Sequence, residues 1–244
     1  MTRVSALFIV IIAIELAGCA SYMTPGGAIS IPEITEGDIS EALAREPAAS
    51  FPAQLIVARV QAAGYVSYSN RGHGQGSFSV LTARDIETDE DLVRLSAMPG
   101  IASVGQLSRV LLPTELNSTR DLRTAAAHLR GDVVLLYTLD TSFRTDTVRI
   151  GPLQAVSLGF FPNKKANVTA TCAAAFIDVR TGYVYGVAEA SATEEQRSNI
   201  WSTQSAIEEA RVVAEREAFA GALTEVEKVW NTILDQYAGG SKVF

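Results

Sequence analysis

The sequence predicts an α/β (α+β) fold: a single mixed sheet flanked by helices, with a long C-terminal helix. An almost continuous apolar run at 132–139 directly follows a helical pattern, which is typical of a central strand buried on both faces. Two later segments, 168–179 and 183–192, have strand patterns and are joined by a turn. Apolar residues then recur every three or four positions over 203–238, the period of an amphipathic helix.

Composition limits the class of protein before any motif is considered. The chain has 244 residues, of which 48% are hydrophobic and 19% charged, so it has enough apolar content for one domain with a sizeable core. The formal net charge of -7 argues against a nucleic acid partner, which would require clustered Lys and Arg. With 2 cysteines and 2 histidines, we expect no disulfide framework, no metal site and no cofactor.

The chain begins with an export signal. Arg3 precedes an apolar run from Val4 to Ile14, which is shorter than the roughly 20 apolar residues of a membrane-spanning helix. The run leads into a lipobox, the cleavage and lipidation motif of bacterial lipoproteins: Leu16, Ala17, Gly18 and Cys19. We therefore predict a lipoprotein signal peptide over 1–18, after which Cys19 is the lipidated mature N-terminus. The alternatives are an ordinary secretory signal with a chance cysteine, and an uncleaved membrane anchor.

Residue 20 bears on the destination of the lipoprotein. Ala20 stands where inner-membrane lipoproteins of Gram-negative bacteria carry Asp. The resemblance to that family implies attachment to the outer membrane, with the domain facing the periplasm.

Residues 19–50 have the composition of a flexible tether, with several prolines and glycines and little apolar period. One short helix is expected near Ile39–Arg45. Such a spacer holds a lipid-anchored domain clear of the headgroups. We place the periplasmic α/β domain at 51–238 and a C-terminal tail at 239–244.

The first half of the domain alternates strands and helices. Strands are predicted at 54–60 and 77–82, separated by a glycine-rich loop at 70–76 that we expect to be mobile. A helix follows from Thr88 to Met98, and Thr88 with Asp91 forms its capping box. Further short strands are predicted at 101–104 and 108–112.

The second half contains the strongest patterns. A helix over 120–130 ends at Gly131 and is followed by the central strand, Val133 to Leu139. The hairpin turn of the next strand pair contains Gly182, which supplies a positive φ. The long helix runs from Thr203 to about Ala238.

Two motifs in this order resemble a known family. Gly131-Asp132 precedes the central strand, and the late hairpin turns at Asp178-Val179-Arg180-Thr181-Gly182. They resemble the Gly-Ala-Asp and Asp-x-x-Thr-Gly motifs of the periplasmic lipoprotein fold shared by the LpoB (penicillin-binding protein activator) and CsgG (curli secretion) families. The resemblance covers about 51–195 and implies an α/β domain in an envelope lipoprotein.

The sequence contains no catalytic constellation. A hydrolase of the common nucleophilic kind would need a Gly-x-Ser-x-Gly elbow or a Cys/His pair, and no such elbow occurs. Cys172 lies among small residues and is expected to be a buried, unreactive thiol. One set of polar residues resembles a ligand site because it follows the central strand, where α/β folds place binding residues. Its members are Asp140, Arg144 and Asp146, with His73 as a further candidate.

The insertion from Arg144 to Lys165 is the predicted partner contact. It is longer than a usual hairpin loop and carries two adjacent aromatics beside two cations: Phe160, Phe161, Lys164 and Lys165. Protein interfaces are enriched in aromatic anchors. Alternatively, the insertion extends the sheet as a β-hairpin and packs on its own core.

Two functions fit these observations. The first is a lipid-anchored, non-enzymatic envelope protein that acts as a protein-binding or assembly accessory module of the periplasm. Its partner would be another envelope protein or a second copy of the chain.

The alternative is a lipid-anchored protein that binds a small ligand, or hydrolyses it, with the Asp140–Asp146 loop. A deep polar pocket beside Asp140 would favour this alternative, whereas an exposed apolar patch would favour the first function. A pore subunit would need regular amphipathic strands, which 147–159 does not provide.

Overall fold

The computed structural model describes residues 27–35, 37–147, 164–198 and 203–238. It confirms the predicted fold class, because helices flank one mixed sheet and a long helix follows the last strand. The predictions for the signal peptide, the lipobox with Cys19, the aromatic pair Phe160 and Phe161, and the tail at 239–244 lie outside the described residues.

The elements follow one another in the order that the sequence pattern predicts, with additional short pieces. The helices are α1 (Ile31–Ile34), α2 (Ile39–Ala44), α3 (Asp89–Ser96), α4 (Thr119–His128) and α5 (Thr203–Ile233). The strands are β1 (Ala53–Ala62), β2 (Gln75–Gly76), β3 (Phe78–Leu81), β4 (Ile101–Gln106), β5 (Glu115–Leu116), β6 (Val133–Thr147), β7 (Lys164–Asp178) and β8 (Val184–Ser198). A 3-10 turn spans Arg109–Leu111, and a π-helical turn, Leu234–Ala238, extends α5.

The main sheet has the order β3-β1-β6-β7-β8, with β4 paired to the other part of β1. The β1–β6 and β1–β4 pairs are parallel, whereas β1–β3, β6–β7 and β7–β8 are antiparallel. As predicted, the apolar run at 133–139 forms the central strand, and Leu135 is 2% exposed. The strand continues eight residues beyond Leu139, so β6, β7 and β8 each have 15 residues.

The two faces of the sheet carry separate cores. On the inner face, α5 covers aromatic and aliphatic side chains, among them Tyr137 and Phe176, and Trp230 of α5 packs on Phe176 at 5.1 Å between ring centroids. On the outer face, α4 and residues from the N-terminal segment cover Ile56, Leu136 and neighbouring apolar residues. β1 and β6 therefore contribute to both cores, as expected for strands that lie between layers.

Local signals in the sequence account for several boundaries. Thr88 caps α3, and the Asp91 carboxylate accepts from the Thr88 N–H, which completes the predicted capping box. Gly182 has a φ of 72°, as the hairpin turn requires. The helix predicted over 120–130 ends two residues earlier, so that Leu129 lies beyond the end of α4 and is exposed.

Two further segments differ from the prediction. Residues 108–112 were predicted as a strand, but Arg109–Leu111 forms the 3-10 turn. The glycine-rich loop at 70–76, expected to be mobile, is tied to the sheet because His73 and Val80 exchange backbone hydrogen bonds of 2.8 Å. Gln75 and Gly76 also pair with β5.

Parts of the segment predicted as a flexible tether contact the domain. Ile34 is 1% exposed, and the Ala62 N–H donates to the Gly27 carbonyl at 3.0 Å. At the other end, the Ala48 N–H donates to the Asp178 carboxylate at 2.7 Å. Between these contacts lies α2, close to the predicted Ile39–Arg45 helix, and its side chains are exposed.

Candidate functional site

The proposed ligand residues Asp140, Arg144 and Asp146 lie in a strand, which corrects the prediction of a loop. All three belong to β6, where Asp140 pairs with Thr171 and Arg144 with Asn167 of β7. Asp140 and Arg144 are exposed and about 13 Å apart along the strand, so they do not converge on one point. Asp146 and Lys165 are paired in backbone register at the end of the β6–β7 ladder.

His73 is not part of the same site. It pairs with Val80 at the outer side of β3, and β3 and β1 lie between it and β6. Three steps of roughly 4.8 Å between neighbouring strands separate it from β6 by about 14 Å. The structure therefore places His73 far from β6 and separates Asp140 from Arg144 along the strand.

The outer face of the sheet instead carries an apolar groove that the sequence analysis missed. The groove has a volume of about 580 Å³ and runs between the N-terminal segment and the edge strand β8. Ile29, Ile31 and Pro32 form one side, and Val184 and Val187 form the other. Val187 is 65% exposed, which is high for a branched apolar side chain beside a groove.

One tie holds the N-terminal side of the groove in place. The Ile29 N–H donates to the Thr138 hydroxyl at 3.3 Å, and that hydroxyl donates to the Gln61 side-chain oxygen at 2.8 Å. Gln61 is buried and donates in turn to the Leu139 carbonyl at 3.0 Å. Because the polar groups at the base already have partners, the groove presents mainly apolar surface.

A β-bulge explains why the groove escaped sequence analysis. Ile177 pairs with Val184, but Phe176 pairs with Gly186, so Tyr185 is an extra residue in β8. The bulge places both Val184 and Val187 on the outer face, although simple alternation would assign them to opposite faces. Gly186 faces α5 so closely that a side-chain Cβ there would lie 2.6 Å from Val229 Cγ1.

A buried network of charged groups joins α5 to the inner face of the sheet. Arg59 of β1 donates to Asp85 at 2.6 Å and to Glu215 of α5 at 3.4 Å. Arg211 donates to the same Glu215 carboxylate at 2.6 Å and to Glu208 at 2.7 Å. Arg59, Arg211 and Glu215 are each at most 2% exposed.

The network also shifts the pKa values of its members. Burial opposes the charge on Arg59, but the carboxylates of Asp85 and Glu215 outweigh it and raise the guanidinium pKa. Burial raises the pKa of Glu87, which Arg59 only partly offsets. A cavity of about 20 Å³, space for one water, adjoins Arg59 and Glu87, and Arg59 Nε and Glu87 Oε2 have no protein partner. We interpret the network as structural, because its polar atoms face one another across a packed interface.

The motifs that carried the family resemblance have structural contacts. The Asp178 carboxylate accepts from the N–H groups of Arg180 and Thr181 within the hairpin turn, at 2.8 and 3.0 Å. Its second oxygen accepts from the Tyr185 hydroxyl at 2.7 Å. Asp132 accepts from the Gln54 N–H at 3.0 Å. Both aspartates fix backbone at element ends, and both carboxylate oxygens of Asp178 accept hydrogen bonds within the domain.

Cys172 is fully buried in β7, as predicted, and burial raises the pKa of its thiol to about 12. Within the described ranges, no group of three or more His, Cys, Asp or Glu side chains is placed to hold a metal. In the same part of the chain, no helix combines the length and apolar content needed to cross a bilayer.

Comparisons with known proteins add fold-level likenesses. No protein-family model matches the chain, and no curated protein does either. It is similar to protein XCC0632 of family DUF330 from Xanthomonas campestris, with 13% identity and a TM-score of 0.34 over 85% of this chain and 97% of that one. A neuraminyllactose-binding hemagglutinin homolog from Helicobacter pylori is 8% identical, with a TM-score of 0.36 over 80% of this chain and 94% of that one. Hypothetical protein CT253 from Chlamydia trachomatis is 11% identical, with a TM-score of 0.30 over 72% of this chain and 96% of that one. At these values the likenesses assign no function.

Proposed function

We propose that the chain is a lipid-anchored, non-enzymatic protein of the bacterial cell envelope, attached to the outer membrane through Cys19, whose periplasmic domain binds or assembles protein partners. The observation that carries this proposal is the apolar groove beside the edge strand β8. An edge strand with exposed valines can accept an extended partner segment through backbone hydrogen bonds while the groove takes its apolar side chains. Phe160, Phe161, Lys164 and Lys165 stay candidate contacts of the same partner.

The alternative, a small-ligand site or hydrolase at Asp140–Asp146, has less support. These residues lie along a strand, and Asp140 and Arg144 are exposed on one face of it, about 13 Å apart. A ligand site needs convergent polar groups in a concavity, and the groove beside β8 is mainly apolar.

Lipidation is tested by a Cys19→Ser substitution. We expect the variant to move from the membrane pellet to the soluble fraction, because the acyl chains would no longer hold the chain at the bilayer. Cys172→Ala is the matched control, since it removes a thiol that the structure buries. The lipoprotein proposal would be overturned if Cys19→Ser fractionated as the parent does and the mature mass of the parent chain lacked acyl chains.

Partner binding is tested by crosslinking in native membranes from a photoreactive residue at position 187. The matched control is position 93, because Val93 and Val187 are the same residue type with the same 65% exposure. We expect a protein adduct from position 187 that is absent from position 93. Equal labelling from both positions, or none from either, would contradict a docking role for the groove.

A further inference from the structure

Four arginines line one pocket on the surface of this acidic protein. The pocket has a volume of about 490 Å³ and contains Arg45, Arg120, Arg123 and Arg180. The cations come from three separate parts of the fold: the residue after α2, the first turns of α4 and the β7–β8 hairpin. The chain as a whole has a net charge of -7, so this cluster is opposite in sign to the net charge of the protein.

The backbone partly fixes the geometry of this arginine pocket. Arg123 donates to the carbonyls of Val179 and Arg180, both at 3.3 Å, which joins α4 to the hairpin. Arg120 and Arg180 are exposed, and no carboxylate neutralises either of them within the described parts of the chain. Guanidinium groups attract anions, and Arg is the side chain best suited to phosphate oxygens.

An exposed apolar pair lies immediately before the arginine pocket in the chain. Ile39 and Leu43 of α2 are 80% and 82% exposed, and they are four residues apart, so they share one face of the helix. Arg45, two residues after Leu43, lines the pocket. Large apolar side chains beside clustered cations are the composition of segments that lie on a membrane surface, with the apolar groups among the acyl chains and the cations at the headgroups.

The expected anchor leaves the domain at the other end of the sheet. Gly27 accepts from the Ala62 N–H at the end of β1 and lies beside Asp140, whereas the pocket lies next to Asp178, about 23 Å away along β6. Residues 20–26 separate Cys19 from Gly27 and span about 30 Å when fully extended, so a lipid on Cys19 leaves the pocket within reach of the bilayer.

We propose that the arginine pocket and the Ile39–Leu43 face of α2 form a second membrane contact, which binds the phosphate groups of anionic phospholipids. This contact is distinct from the protein-docking groove and does not depend on lipidation. It orients the domain, because one end of the sheet lies against the headgroups while the β8 groove stays accessible.

The test is vesicle co-sedimentation of the full chain carrying Cys19→Ser, so that the acyl anchor does not contribute. We expect binding to phosphatidylglycerol vesicles that weakens as salt rises, and much weaker binding to phosphatidylcholine vesicles. Arg120→Gln with Arg180→Gln should lower the partition coefficient roughly thirtyfold, since each surface cation contributes a little more than a factor of five. Ile39→Ser with Leu43→Ser should lower it about tenfold or more.

Matched controls separate the pocket from general charge and apolar content. Arg71→Gln with Arg216→Gln removes the same charge from exposed positions elsewhere, and Val93→Ser with Val110→Ser removes exposed apolar groups elsewhere. Both controls should bind as the parent does, with equal melting temperatures in all variants. Loss of vesicle binding in the controls as well, or retention of vesicle binding in the pocket variants, overturns the proposal.

Equilibrium dialysis with inorganic phosphate distinguishes a soluble ligand from a membrane. If the pocket variants lose phosphate binding but keep vesicle binding, the site takes a soluble phosphate and the membrane contact is wrong. Neither outcome bears on lipidation or on crosslinking from position 187.

Discussion

The two faces of the sheet differ in what covers them, although the same strands build both. On the inner face, α5 lies along β7 and β8 and buries aromatic side chains together with the Arg59–Glu215 network. On the outer face, α4 and the N-terminal segment cover β1 and β6, while Val184 and Val187 of β8 stay exposed. The comparison indicates that stability depends mainly on the inner face and the centre of the sheet, and the surface proposed for recognition lies at the outer edge.

The strongest test of this comparison places one charge at the centre and one at the edge. Leu135→Asp would bury an unpaired carboxylate in the central strand, and we expect a loss of about 4 kcal/mol or more, enough to abolish folding. Val187→Asp, on exposed β8, should cost at most about 1 kcal/mol. Urea unfolding of both variants checks this. Equal losses would mean that the edge is as well packed as the centre.

A second test compares a buried ion pair with an exposed one on the same helix. Glu215→Ala leaves Arg59 and Arg211 facing each other without their shared carboxylate, which should cost about 3–5 kcal/mol. Glu227→Ala removes the carboxylate that binds Arg94 in a pair about one-third exposed, and should cost about 1 kcal/mol or less. Thermal unfolding distinguishes the two. Similar shifts in Tm would show that the network adds nothing beyond a surface pair.

The smallest effect concerns the pH dependence of stability. Burial raises the pKa of Glu87 above its ordinary 4.5, so the folded chain keeps a proton that the unfolded chain has already released. The favourable contribution is present below about pH 4.5 and is lost as pH rises through the raised pKa. Glu87→Gln cannot titrate, so its stability relative to the parent should increase as pH rises above about 4.5. Glu90→Gln, at an exposed position, is the control. Parallel stability curves for the parent and Glu87→Gln would contradict the assignment.

Sequence patterns predicted the elements and turns that are determined by residues close together in the chain. The apolar run of β6, the Thr88 capping box and the positive φ of Gly182 each depend on a few adjacent residues. The same logic placed the Asp140–Asp146 segment in a loop, because a strand with one polar, exposed face has the composition of a loop. The structure shows that polar residues after an apolar run can also mark the point at which a strand leaves the covered part of its sheet.

The features that escaped prediction depend on distant contacts. Tyr185 shifts the alternation of β8 because Gly186 must face α5, and no local signal distinguishes that bulge from regular alternation. Arg59 is a single cation in an apolar strand, and its partner Glu215 is 156 residues away. The proline- and glycine-containing segment at 27–35 has tether composition, yet Ile29 and Ile34 are buried against the sheet.

The long separation between Arg59 and Glu215 has a consequence for biogenesis. Strand β1 leaves the ribosome early and Asp85 follows it soon, but Glu215, the second carboxylate that pairs with Arg59, is synthesised 156 residues later. The indole of Trp230 likewise reaches back 131 residues to the Pro99 carbonyl. The buried ion network therefore cannot be completed until the last helix has been synthesised, and topologies with such non-local pairings fold slowly.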